Sequence, residues 1–188
     1  MSEYPSRQTP MHTQDSVRPV NEIFEIFGSG RIDLPERPGV YAFWWVSSKD
    51  LLMQANTYIV LKGPGGSPVD VEYQDWWPDD LVYPCLYVGK STNMKNRFSQ
   101  HIKRGTTGRL HGWNPDNTKA KPATTSCQLR FGIEHVFPHE NDPLNLIVSS
   151  VGFSYRTEFP DNPIAERFFE EDRLIGAFRP RFNIDSER

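Results

Sequence analysis

Two tyrosines, Tyr41 in Gly39-Val40-Tyr41 and Tyr87 in Leu86-Tyr87-Val88-Gly89-Lys90-Ser91, precede Arg97 and His101, four residues apart, and then Glu171 and Asn183. These residue types can supply what phosphodiester hydrolysis demands: an activated water, a counter-charge for a phosphorane-like transition state, and help for the departing alkoxide. Arg97 offers a planar fork that matches a phosphate, a task for which lysine is a poor substitute. Tyr41 is the preferred group to orient or deprotonate the water, but a phenol with a reference pKa of about 10 needs help from a metal, a cation or a hydrogen bond. His101, with a reference value of about 6.5, is the rival base, and Lys90 can either lower the tyrosine's pKa or bind phosphate. The residues alone do not choose among these. Singly, each has an ordinary explanation as a strand aromatic, a solvated helix face or a surface acid. Their ordered combination points to chemistry.

The elements that must position these groups follow from pattern. Val40 to Val46 is β-branched and aromatic over its whole length and reads as a buried strand, with Pro84 to Val88 as a second. Met94 to Lys103 reads as a helix entered through Ser91-Thr92-Asn93, which places Arg97 and His101 on one face. A late helix runs from Pro163, a favoured first residue, to Phe178, with Ile164, Phe168, Leu174, Ile175 and Phe178 available for the core. Pro180 stops it, and Arg181-Phe182-Asn183 continues as an extended tail. A short helix is expected over Val20 to Phe27, ended by Gly28-Ser29-Gly30. Gln128 to Phe137 and Leu146 to Thr157 read as two strands joined by a turn at Pro138 to Pro143.

About forty residues separate the two tyrosine motifs, more than a hairpin connection needs, so an insertion is expected there. Thr57 to Lys62 and Val69 to Tyr73 flank a Gly/Pro turn and predict a β-hairpin, whose descending arm is acidic (Asp70, Glu72, Asp75, Asp79, Asp80). Trp76-Trp77 reads first as a cover for the edge of the core and second as an interface anchor. Gly105 to Thr125 has no apolar period and reads as a long loop. Met1 to about Arg18 is polar and reads as a flexible arm.

The order of the chemical residues resembles that of the GIY-YIG nuclease superfamily. In that family a small antiparallel sheet supplies two tyrosines, the helix behind it an arginine and often a histidine, and a later helix one glutamate that holds a divalent metal. By motif these are Tyr41, Tyr87, Arg97, His101 and Glu171. Glu171 is chosen over Glu166 and Glu170 because Glu171-x-x-Leu174-Ile175, ending in Pro180-Arg181-Phe182-Asn183, is similar to the family pattern; Glu166 is the fallback. A lone carboxylate suits Mg2+, which keeps several waters and takes its other ligands from substrate phosphate oxygens; Mn2+ is the expected substitute. Asn183 is expected to bond within the site or to the DNA backbone, and Gly89 to keep a side chain out of the phosphate's way.

The resemblance covers 38–46, 86–103 and 165–183, about half of the 188 residues. It implies an α+β fold, a small antiparallel sheet flanked by helices with inserted β-hairpins. The expected organisation is an arm over 1–18 and one nuclease domain over 19–188, with insertions at about 47–83 and 104–160.

Composition bounds the partners. The net charge is −3, yet five lysines and three arginines against one acid between Tyr87 and Lys121 give that stretch +7 and leave −10 elsewhere. A basic stripe on an acidic body is the expected footprint of phosphate contact, and Lys90, Lys95, Lys103, Arg104, Arg109, Trp113 and Asn114 are its candidate DNA-binding residues. Arginine and asparagine can read purine edges, and Trp113 can stack or wedge. Cys85 and Cys127 lack metal-binding or redox spacing and read as reduced, partly buried thiols. No apolar run approaches the roughly 18 residues of a membrane helix, and no secretory signal is visible, so a cytoplasmic protein is expected. With five residues after Asn183, recognition is expected to lie in the insertions and the basic loop. That arrangement looks most like the Eco29kI-type restriction endonucleases and implies a type II restriction enzyme acting on double-stranded DNA as a homodimer. The alternatives are a structure-specific repair or recombination nuclease and an inactive DNA-binding module on the same scaffold.

Overall fold

A computed structural model describes residues 16–24, 30–62, 67–102, 108–109, 128–159 and 163–183, with only the backbone described over 59–62. In chain order the elements are β1 (Arg18–Pro19), α1 (Val20–Ile23), β2 (Gly39–Trp45), α2 (Lys49–Met53), β3 (Tyr58–Lys62), β4 (Pro68–Glu72), β5 (Cys85–Ser91), α3 (Met94–Ile102), α4 (Gln128–Val136), α5 (Pro143–Ser150), β6 (Val151–Arg156) and α6 (Pro163–Phe178). Four strands form an antiparallel sheet in the order β1-β6-β2-β5, and helices cover both of its faces. This is a mixed α+β fold built on a small sheet.

All seven residues of β2 are buried, as expected for an apolar run with no polar alternation, which needs cover on both sides. The register sets Tyr41 opposite Tyr155 and Phe43 opposite Phe153 on β6, and Phe43 opposite Tyr87 on β5. These rings share one face, where Phe98 of α3 packs 5.0 Å from Phe153 and 6.0 Å from Phe43 between centroids. On the other face Trp44 meets Phe178 of α6 at 4.9 Å and donates through Nε1 to Ser154 Oγ at 2.9 Å. A bulge after Phe43 pairs Trp44 with Cys85 and leaves Leu86 as the extra residue.

Several expectations are corrected. Gln128–Val136 is a helix, not a strand: Leu129, Ile133 and Val136 fall on a helical stripe and are buried, and Arg130 and Glu134, one turn apart, pair at 2.7 Å in the interior. The expected strand over Leu146 to Thr157 is half helix. Asp142 caps α5 by accepting from the Asn145 N–H at 3.0 Å, Pro143 opens it, and only from Val151 does the chain extend into β6. This strand, from within the 104–160 stretch, lies in the middle of the sheet between β1 and β2. The helix expected over Val20 to Phe27 ends at Ile23, because Phe24 is extended and bridges to Ile32; 25–29 lie outside the described residues. In α6, Leu174 is buried, but Ile164 and Phe168 are 67% and 53% exposed and do not enter the core.

The expected hairpin is present as β3 and β4. Trp77 is buried and donates through Nε1 to Cys85 O at 2.8 Å, while Trp76 packs against the core, so the pair covers its edge. Cys85 is fully buried, not partly; Cys127 lies outside the described residues, as do 1–15 of the expected arm, whose last residue, Arg18, begins β1. Among the described residues no helix is long and apolar enough to cross a membrane.

Candidate active site

The end of β5 and the first turns of α3 and α6 enclose an open groove of about 660 Å3. Its walls carry Lys90 from β5, Asn96, Arg97 and Gln100 from α3, and Ile164, Arg167 and Phe168 from α6. The two tyrosines do not line the groove; they lie beside it, with Tyr41 1% and Tyr87 6% exposed.

Tyr41 is the centre of the arrangement. Its hydroxyl lies 2.7 Å from His101 Nε2 and accepts from Arg97 Nε at 3.0 Å. Arg97 also reaches the Tyr87 hydroxyl, so one guanidinium spans both phenols while lining the groove. His101 is fully buried, and its Nδ1 accepts from the Leu129 N–H at 3.4 Å. That contact assigns the ring proton to Nε2, which makes His101 a second donor to the Tyr41 oxygen. Helical spacing on α3 thus delivers Arg97 and His101 to one hydroxyl, as the sequence implied.

Electrostatics keep the resting site uncharged at its centre. Burial pushes the Tyr41 phenol well above its usual range, with Tyr87 adding to the effect and Arg97 opposing it. Burial raises Tyr87 too, against the pull of Arg97. Burial and then the Arg97 charge hold His101 well below its ordinary value, so it is neutral at pH 7.

Glu171 of α6, with 13% of its side chain exposed, pairs with the Lys90 ammonium, and its charge reaches both phenols. Lys90 Nζ also stands 3.8 Å from the centroid of the Phe168 ring. Glu170 faces elsewhere, bonded to Arg173 at 2.7 Å and paired with Arg156 at 3.8 Å. Among the described residues no group of three or more His, Cys, Asp or Glu side chains converges on a metal position. Glu171 is mostly shielded and next to the phenols, which suits a single-carboxylate ligand, but a metal there would have to displace the Lys90 ammonium it pairs with.

Other expected site residues have different places. The Asn183 amide accepts from the Val88 N–H at 2.7 Å and donates to Val88 O at 2.8 Å, so it finishes the edge of β5 rather than facing a substrate. Gly89 lies across from Tyr41, and a Cβ there would stand 2.5 Å from the Tyr41 hydroxyl; it makes room for the phenol, not for a phosphate. Lys95 bonds Glu36 at 2.8 Å. Arg109 donates to the carbonyls of Glu134, Phe137 and Glu140 at 2.6, 3.1 and 3.1 Å, which secures the end of α4. Lys103, Arg104, Trp113 and Asn114 lie outside the described residues.

Asn96, Gln100 and Arg167 went unnoticed in the sequence, and Ile164 and Phe168 were read there as core residues. The signal was there: Gln100 lies three residues after Arg97 and four after Asn96, so it joins them along one side of α3, and Ile164, Arg167 and Phe168 precede Glu171 at helical spacing. No protein-family model, curated protein or solved structure matches this chain.

Proposed function

We propose that this protein is a metal-dependent endodeoxyribonuclease of the GIY-YIG kind, hydrolysing phosphodiester bonds in double-stranded DNA. One observation carries the reading: the buried Tyr41 hydroxyl is held at once by Arg97 and His101, beside Tyr87 and Glu171, next to a groove with cations in its walls.

A phosphate in the groove meets Arg97 and Lys90 first. Arg97, drawn toward the scissile phosphate, stabilises the charge that grows during attack and opens the phenols to water. Tyr41 first gives up its phenolic proton to bulk solvent, and the phenolate so formed takes the proton from the attacking water, which restores the phenol. A phenolate at this oxygen is held by the Nε2–H of neutral His101 and, while contact persists, by the Arg97 N–H, which offsets the desolvation that otherwise raises its pKa. His101, having no exposed surface, acts through Tyr41 as a positioning residue. Glu171 would hold Mg2+, or Mn2+ in its place, and the bound ion supplies Lewis-acid stabilisation of the departing oxygen. Lys90 balances Glu171 and is placed to bond a phosphate oxygen.

Within this class we favour a type II restriction enzyme working as a homodimer, since two sites related by a two-fold axis match a palindrome and both strands. Plasmid DNA incubated with the purified protein and Mg2+ tests this. Discrete fragments are expected. Cutting confined to branched junctions would move the protein to a structure-specific nuclease, and no cutting with any divalent metal would leave only a binding module.

A further inference from the structure

Ile164, Arg167, Phe168 and Glu171 lie at i, i+3, i+4 and i+7 on α6 and so share one face. That face continues through Leu174, Ile175 and Phe178, where it packs: Leu174 is buried, and Phe178 lies 4.9 Å from Trp44. At the other end it does not. Ile164 is 67% exposed and Phe168 53%, and both line the groove beside Arg97. Burying them on the sheet would have been favourable, so apolar side chains left at this place are available to an occupant of the groove.

Charge says what that occupant is. The described residues of the groove include Lys90, Arg97 and Arg167 and no carboxylate; Glu171 beside it balances Lys90, and the two arginines leave the lining positive although the chain carries a net −3. Arg167 has no ion-pair partner among the described residues. A volume of about 660 Å3 is in the range that encloses a drug-sized ligand, enough for roughly one or two nucleotides of a single strand and too little for a duplex. Amide side chains from Asn96 and Gln100 on the facing wall supply donors and acceptors for a base edge. Lys90 Nζ stands over the Phe168 ring, so the ring is held in place while much of the side chain stays exposed.

We propose that this groove seats one or two unstacked nucleotides next to the scissile phosphate, with Phe168 as the stacking surface, Ile164 as its apolar support and Arg167 as a phosphate anchor. The inference rests on the nuclease reading and names what its site receives. The unstacked nucleotide has two possible sources, a duplex wedged open by the protein or a pre-existing branch.

Fluorescence anisotropy tests it without divalent metal and in a Glu171→Gln background, expected to slow cutting, with labelled probes of equal length: a blunt duplex, a duplex bearing an unpaired flap, and a single strand. Phe168→Ala is expected to weaken binding about tenfold, the scale of losing one base–aromatic stack. Phe168→Leu, which keeps apolar bulk but loses the ring face, should weaken it nearly as much. Because the side chain is exposed, the thermal midpoint should not move. A loss that extends to the blunt duplex supports wedging; a loss limited to the flap and the single strand supports a branch. Unchanged affinity of Phe168→Ala for all probes would overturn the proposal, and if Arg97→Ala then lowers affinity the nuclease reading survives alone. A change of oligomeric state on Phe168→Ala without loss of affinity would also overturn it, by making this face a protein contact. Failure of the Glu171→Gln parent to bind any probe would overturn both.

Discussion

The Tyr41 hydroxyl has little freedom. Arg97 and His101 fix it from two sides, and a Cβ at Gly89 would lie 2.5 Å from it and 2.8 Å from the Tyr87 ring. Gly89→Ala should therefore displace the phenol and slow single-turnover cleavage at least about 100-fold, comparable to loss of one preorganised donor, while DNA affinity stays near that of the parent. Equal cleavage rates would remove Tyr41 from the mechanism. His101 gives a second handle. Its folded-state pKa lies well below the usual value of about 6.5, and burial lowers His135 as well. Above about pH 6.5 both histidines are neutral whether the chain is folded or not. Below it the unfolded chain binds protons that the folded chain does not, so stability present at neutral pH is lost as pH falls from about 6.5 toward the folded-state values. Each histidine contributes a slope of up to about 1.4 kcal/mol per pH unit in that window. Denaturant titrations from about pH 6.5 to about pH 5 should show His101→Gln flattening the slope by one histidine's share; an unchanged slope would contradict the neutral, buried assignment. At this scale the meeting of Arg97 and His101 on one side of α3 was legible in their spacing. The reason for Gly89 was not, because which side chain crosses a glycine depends on strand register.

Among the elements, the turn after α6 covers the outer edge of β5. The N–H groups of Arg181 and Phe182 donate to Cys85 O and Leu86 O at 3.1 and 2.8 Å, and the Asn183 amide pairs with both backbone groups of Val88. An edge strand carrying Tyr87 is thereby closed. Asn183→Ala should leave that pair open at a cost of roughly 1–3 kcal/mol, lowering the thermal midpoint by roughly 3–8 °C, with no change in DNA affinity for the folded protein. Loss of affinity without loss of stability would return Asn183 to the substrate. The stop before Pro180 was legible, but the extended tail expected over Arg181-Phe182-Asn183 is not found: Arg181 and Phe182 form a turn, because their N–H groups bond the successive carbonyls of Cys85 and Leu86, a pairing set in space. The strands read over 128–137 and 146–157 failed for a different reason. β-Branched content in Ile147, Val148 and Val151 outweighed the helical spacing of Leu144, Ile147 and Val148, and Asp142 with Pro143 is a helix start that a turn reading absorbs.

Across the whole molecule the charge stripe and the groove overlap only in part. Of the expected phosphate contacts that the structure describes, Lys95 is paired with Glu36 and Arg109 is spent on carbonyls, whereas Lys90 and Arg97 line the groove. Arg167, which joins them, lies far down the chain and is brought there only by α6. A linear tally of charge cannot see that. Nor could composition alone place the carboxylate, which reaches the two phenols because α6 packs on β5 and β2. The proposed hydrolysis of DNA through Glu171 is tested by comparing cutting of plasmid DNA in Mg2+ by the parent protein and by Glu171→Gln at equal folded concentration. Cutting by the parent is expected, with at least about a 100-fold slower reaction by Glu171→Gln and binding retained. Equal cutting by the two proteins, or none by a folded parent in either Mg2+ or Mn2+, would contradict it.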